Sequence, residues 1–145
     1  TPSDPYRNLP LHQARRLRTP AEIGIMAFRY FKIEDFACKH CGRNGIKEEF
    51  IHRLDDLRHR CGFPLIVSSG YRCPEHNAAV STTGLTGPHT TGLAADFAVD
   101  RSNARTVIAV ASQMMFSGLG VNQKGEGRFI HVDDVDRPTA TVWSY

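Results

Sequence analysis

From residue 46 onward the apolar positions alternate between two spacings, and each switch marks an element. Phe50, Ile51, Leu54 and Leu57 recur at helical spacing while Lys47, Glu48, Arg53 and Asp56 fall largely on the other side. That pattern predicts an amphipathic helix over 47–61. Gly62 stands where a helix stop is expected. Residues 64–68 form a short apolar run that reads as a buried strand, and a short helix is predicted from Pro74, since proline suits a first helical turn. Residues 81–87 have loop chemistry. A strand is expected over 93–99. A second amphipathic helix follows over 102–116, with Ser102 as candidate N-cap and Val107, Ile108, Val110, Ala111, Met114 and Met115 on its buried side. Segments 118–121, 128–133 and 139–143 complete a sheet, the first two joined by a turn at 123–127. Helices grouped around a largely antiparallel sheet make an α+β domain.

The amino-terminal stretch breaks this rhythm. Pro2, Pro5, Pro10 and Pro20 surround the basic residues Arg15, Arg16 and Arg18, and prolines at that density interrupt both helix and strand. We read residues 1–27 as an extended or poorly ordered arm and 28–145 as one domain, a size that supports a real core. The apolar patch at 23–28 is shorter than a signal-peptide core, so no export signal is readable and localisation is not specified. No apolar run approaches the roughly 20 residues needed to span a bilayer. The net charge of +3 suits an anionic polymer, either cell wall or nucleic acid. The basic residues are not interleaved with aromatics, which places a nucleic-acid partner last.

Three residues change the picture. His89 and Asp96 lie in Gly87-Pro88-His89-Thr90-Thr91-Gly92-Leu93-Ala94-Ala95-Asp96, and His131 lies in Arg128-Phe129-Ile130-His131-Val132-Asp133. Either histidine alone is ordinary. A catalytic zinc takes three His, Asp or Glu ligands at about 2.0–2.2 Å and keeps a fourth position open for water. Two imidazoles and a carboxylate on separate segments meet that requirement. The chain carries no HExxH helix and no Gly-x-Ser-x-Gly elbow, which argues against a thermolysin-like site and against a serine hydrolase.

Together with Ser68-Ser69-Gly70-Tyr71-Arg72, these segments resemble the three signature blocks of the zinc D-Ala-D-Ala peptidases, and the resemblance runs from about Phe31 to Tyr145. It implies the fold shared by Hedgehog domains and DD-peptidases, a Zn2+ cofactor on His89, Asp96 and His131, and hydrolysis of D-amino-acid-containing peptides. The expected substrate is a peptidoglycan stem peptide, cut as a carboxypeptidase or endopeptidase would. It also implies that Arg72 stabilises the transition state, while Ser68, Ser69 and Tyr71 are expected to line the cleft. The match departs at one position. Where many members carry an acid three residues before the last zinc histidine, this chain has Arg128, which accepts no proton. Two nearby acids are candidates for that role. Asp133 shares a strand face with His131 and serves either as base or as the partner fixing the His131 tautomer. Glu126 sits in the glycine-rich turn, within reach of the site if the turn swings. The rival reading is a zinc-containing binding module of the same fold that performs no hydrolysis.

The cysteines pose a separate question. Cys38 and Cys41 form a CxxC pair, with Cys61 and Cys73 downstream. They read as reduced buried thiols, as a second zinc site with His40 or His76, or as disulfides in one of three pairings.

Overall fold

The computed structural model describes residues 28–145. The expected arm over 1–27, with Arg15, Arg16 and Arg18, lies outside the described residues. Within them the order is α1 (Glu48–Cys61), β1 (Ile66–Ser69), α2 (Pro74–Val80), β2 (Ala94–Ala98), α3 (Arg101–Gln113), β3 (Gly118–Asn122), β4 (Phe129–Asp133) and β5 (Thr141–Ser144). The five strands form one sheet in the order β1-β2-β4-β3-β5. All neighbouring pairs are antiparallel except β3–β5, which is parallel. The α+β expectation holds.

Helix α1 forms where the spacing predicted it and stops at Gly62, whose left-handed φ of 78° lets its N–H reach Arg58 O. Its Phe50, Ile51, Leu54 and Leu57 are buried against Val107 and Ala111 of α3 and the sheet. Asp55 is buried too, because its carboxylate accepts the backbone N–H groups of Arg29 and Tyr30 and so ties the entering chain to α1. Helix α3 departs from expectation at both ends. Asp100, not Ser102, occupies its N-cap. It ends at Gln113, and Met115 takes a left-handed φ of 62° that turns the chain toward β3. That turn leaves Met115 77% exposed, whereas Met114 is buried as expected.

Strand β1 corrects another expectation. It is the sheet edge, paired only to β2, so Ile66 is 66% exposed and only Leu65, just before it, is buried. The run was apolar, but an edge strand has one neighbour to hide behind.

Alternation along the central strands separates two chemistries. Ala95 and Phe97 of β2 and Ile130 and Val132 of β4 join the helical core. Asp96, His131 and Asp133 take the opposite face, with Asp96 directly across from His131. On the other side of β4, Gly120 lies opposite His131 and Gly118 opposite Asp133. A Cβ at Gly118 would run into the Asp133 carboxylate, and one at Gly120 would come within 3.0 Å of His131 Cβ. These two glycines make the room the polar side chains occupy.

Candidate metal centre and its cleft

His89 is carried on a short 3-10 turn (Pro88–Thr90) after the loop that follows α2, and Asp96 and His131 come from adjacent strands. His89 Nδ1 lies 2.8 Å from Gly70 O. A carbonyl only accepts, so Nδ1 carries the proton and Nε2 presents its lone pair. On His131 the roles of the nitrogens are exchanged. Its Nε2 lies 2.7 Å from Asp133 Oδ2, which leaves Nδ1 as the lone-pair nitrogen facing the centre. Outer partners of this kind fix the tautomer and ring orientation of metal-binding histidines.

The three inward atoms are His89 Nε2, Asp96 Oδ1 and His131 Nδ1. They stand 3.3 Å (His89–Asp96), 3.2 Å (His89–His131) and 2.9 Å (His131–Asp96) apart. Bonds of about 2.0–2.1 Å around a tetrahedral zinc place ligand atoms roughly 3.3 Å from one another. Converging lone pairs at that spacing call for a cation, so the donor set fits the metal. All three residues are buried.

Without an ion, the same atoms hydrogen-bond one another. Burial opposes ionisation of Asp96, but hydrogen bonds with His131 and His89 outweigh it and hold its carboxyl well below the usual range. Asp133 behaves similarly, with His131 and Arg137 overcoming burial. Burial also disfavours a charged His131, yet hydrogen bonds to Asp133 and Asp96 outweigh it and raise its pKa.

The open side of the triad faces a cleft of about 900 Å³. Arg72 lines it, with Nη1 donating to Asn77 Oδ1 at 3.0 Å, Nη2 donating to Ser69 Oγ at 3.2 Å, and Nη2 lying 3.7 Å from Asp96 Oδ2. Three residues that sequence reasoning missed adjoin the centre. Arg137 donates to Asp133 Oδ2 at 2.7 Å, Trp143 packs its ring 5.1 Å from that of His131, and the fully buried Asn77 holds Arg72. A cation and an aromatic beyond the last motif carry no spacing signal, whereas Asn77 stands only four residues after Cys73 in a predicted helix.

Other expected site residues fall elsewhere. Ser68, Ser69 and Tyr71 are absent from the cleft wall. Ser68 Oγ donates to Asp96 O, Ser69 Oγ accepts from Arg72, and the Tyr71 ring lies against Gly45. A bulge between Val67 and Ser69 shifts the strand register there, and Ser68 and Ser69 brace Asp96 and Arg72 through these bonds. Asp133 is fully buried, and its oxygens are engaged by His131, Arg137, Ser117 Oγ and Val135 N–H. Glu126 lies in the β3–β4 turn beside residues 98–101, outside the cleft. Asp96 is the one carboxylate lining the cleft among the described residues.

The cysteines divide. Sulfurs of Cys38, Cys41 and Cys73 lie within 4.8 Å of one another, while Cys61 is separate at the end of α1. Burial works against a charged Cys38, but the backbone N–H groups of Cys73, Cys41 and His40 outweigh it and bring its thiol to about 6.

Two imidazoles of fixed tautomer and a carboxylate, opening on a cleft beside a guanidinium, form a group that could hold a single metal ion. A family model described as Peptidase M15 matches residues 29–133, and the chain belongs to that family of zinc-dependent hydrolases acting on peptide bonds. No curated protein matches it. No helix among the described residues is long and apolar enough to cross a membrane.

Proposed function

We propose that the chain hydrolyses D-amino-acid-containing peptides, most specifically peptidoglycan stem peptides, as a D,D-carboxypeptidase or endopeptidase. The observation that carries the reading is the triad of His89 Nε2, Asp96 Oδ1 and His131 Nδ1, which opens onto a cleft flanked by Arg72. Zinc held there supplies Lewis acidity, lowering the pKa of water to about 7 and polarising a carbonyl. The protein's own groups do the positioning. Arg72, braced by Asn77 and Ser69, faces the place where negative charge develops on the carbonyl oxygen. Asp133 and Arg137 hold His131 in the tautomer that binds metal. Charge favours a substrate ending in a carboxylate. Arg72 and Arg137 are balanced by Asp96 and Asp133, so a divalent ion leaves the cleft positive.

The rival reading, a zinc-containing module that binds without cutting, draws on a specific observation. Arg128 replaces the usual acid, Asp133 is saturated with partners and Glu126 lies outside the cleft. One experiment separates the two. Zinc-loaded protein is incubated with muropeptides ending in D-Ala-D-Ala, and products are resolved by mass spectrometry. Shortened or cleaved peptides, absent with His131→Ala, are the expected result. Saturable binding with no product over many hours overturns the hydrolase in favour of the module.

A further inference from the structure

A second group of donors lies outside this cleft and has no part in the chemistry above. Residues 38–43 form a tight loop in which Cys38 N–H donates to Arg43 O at 2.7 Å and Gly42 N–H donates to Cys38 O at 2.8 Å. Gly42 takes a φ of 76° to close it. The loop brings Cys38 and Cys41 to the start of α2, where Cys73 is the N-cap. Each sulfur accepts an N–H: Cys38 from Cys73 N at 3.4 Å, Cys73 from His76 N at 3.4 Å, and Cys41 from Arg43 Nε at 3.3 Å. Backbone or guanidinium N–H groups thus face all three sulfurs.

Three features separate this cluster from its alternatives. Sulfurs bound at about 2.3 Å to one tetrahedral zinc stand roughly 3.8 Å apart, compatible with three sulfurs all within 4.8 Å of one another. A disulfide among them would join only two, and a third thiol would be left beside the bridge. Simple core filling explains Cys38 and Cys73, which are buried, but not Cys41, which is exposed at the same cluster. His40, next in sequence to Cys41, and His76 stack with ring centres 5.2 Å apart and planes 4° from parallel, although neither imidazole belongs to the group of three sulfurs within 4.8 Å. His76 belongs to the first turn of α2, three residues beyond Cys73, where an N3 side chain reaches back toward its cap. Arg43 also pairs with Glu75 at 3.2 Å and places positive charge beside the sulfurs.

We propose that Cys38, Cys41 and Cys73, with an imidazole from the His40–His76 pair, hold a second and structural zinc. The ion clamps the loop after Phe36 to the start of α2. Arg72 immediately precedes Cys73, so the same clamp steadies the guanidinium that lines the cleft. Closed four-coordinate sites of three cysteines and one histidine are a recurrent structural arrangement.

The test counts metal and reads its ligands without reference to peptide hydrolysis. Full-length protein kept under reductant is expected to hold two zinc equivalents by elemental analysis. His131→Ala and Cys41→Ser should each hold one. Cobalt exchanged into His131→Ala should give an intense thiolate-to-cobalt charge-transfer absorption in the near ultraviolet, and Cys41→Ser should lose it. Cys41 is exposed, so its replacement leaves the core intact, and the cobalt spectrum of His131→Ala decides alone if Cys41→Ser fails to fold. A cobalt-loaded His131→Ala protein without that absorption overturns the proposal. Zinc content unchanged by Cys41→Ser does the same, while neither result touches the His89, Asp96 and His131 centre.

Discussion

The two faces of the β2–β4 pair are built from alternate residues of the same strands and follow opposite rules. On one face Ala95, Phe97, Ile130 and Val132 are sealed beneath α1 and α3, where burial of apolar surface supplies stability. On the other, Asp96, His131 and Asp133 are equally buried, yet they are held by hydrogen bonds and ion pairs arranged around lone pairs that point at a common centre. Such an arrangement contributes little to stability by itself. On the proposed reading, stability and function are divided between adjacent residues, and substitutions should separate them.

The largest expected effect is on the polar face. His131→Ala should lose one zinc equivalent and all detectable peptide hydrolysis while its far-ultraviolet circular dichroism stays native. A variant that keeps both metal equivalents would remove His131 from the centre. Next is the apolar face. Phe97→Ala should cost about 3–5 kcal/mol of unfolding free energy, because a buried ring leaves a cavity between helices and sheet. Denaturant titration reads this directly, and a cost under about 1 kcal/mol, the scale of an ordinary substitution, would show that this face is not the structural one.

Two smaller effects probe how the polar face is supported. Arg72→Lys keeps a charge but loses the planar fork that grips Asn77 and Ser69. It should lower kcat roughly 10²–10³-fold, as loss of an oxyanion donor does, with zinc content unchanged. A matching fall in zinc content would instead make Arg72 part of the metal site. Asp133→Asn should weaken zinc binding about 10–100-fold, the usual effect of losing a partner behind a metal-binding histidine. The same pair sets a pH dependence. Without metal, the depressed pKa of Asp133 contributes stability above its unfolded value of about 3.9, and this is lost as pH falls through the folded value. The raised pKa of His131 contributes fully below about 6.5 and is lost as pH rises through its folded value. This pair therefore favours metal-free protein most between about pH 4 and 6.5. Metal needs the neutral imidazole, so zinc should move the optimum upward. Thermal melts across pH with zinc and with chelator should show that displacement. Coincident optima would contradict the His131–Asp133 coupling.

Legibility in the sequence followed the range of the interaction that decides each feature. Helix α1 was readable because Phe50, Ile51, Leu54 and Leu57 state its face and Gly62 its end within one short window. The grouping of His89, Asp96 and His131 was readable because metal chemistry restricts residue type, and strand alternation correctly put His131 and Asp133 together. What failed to show depends on tertiary neighbours. The edge position of β1 is a property of strand order. The bulge between Val67 and Ser69, which shifts the register beside the site, has no local marker. Met115 is exposed because the chain reverses after α3, a demand made by β3 rather than by the helix. Arg137 and Trp143 reach the centre only through the pairing of β5 beside β3 and the path between.

The smallest effect tests the strand geometry most sharply. Glu126 is close to His131 in sequence and chemically able to accept a proton, which made it a reasonable candidate for the missing acid. The β3–β4 turn that carries it closes with Gly125 and Gly127 both at positive φ, and Arg128 Nε donates to Gly125 O at 2.9 Å. Gln123, at the start of that turn, donates to Val99 O at 3.0 Å, so reaching the cleft would require the turn and its hydrogen bonds to open. Glu126→Gln should therefore change kcat/KM by no more than about twofold, the scale of an exposed substitution. If it lowered kcat a hundredfold with zinc content intact, the turn would have to fold over the cleft during turnover. The division between a polar face that does the chemistry and a rim that only closes the sheet would then fail at this residue.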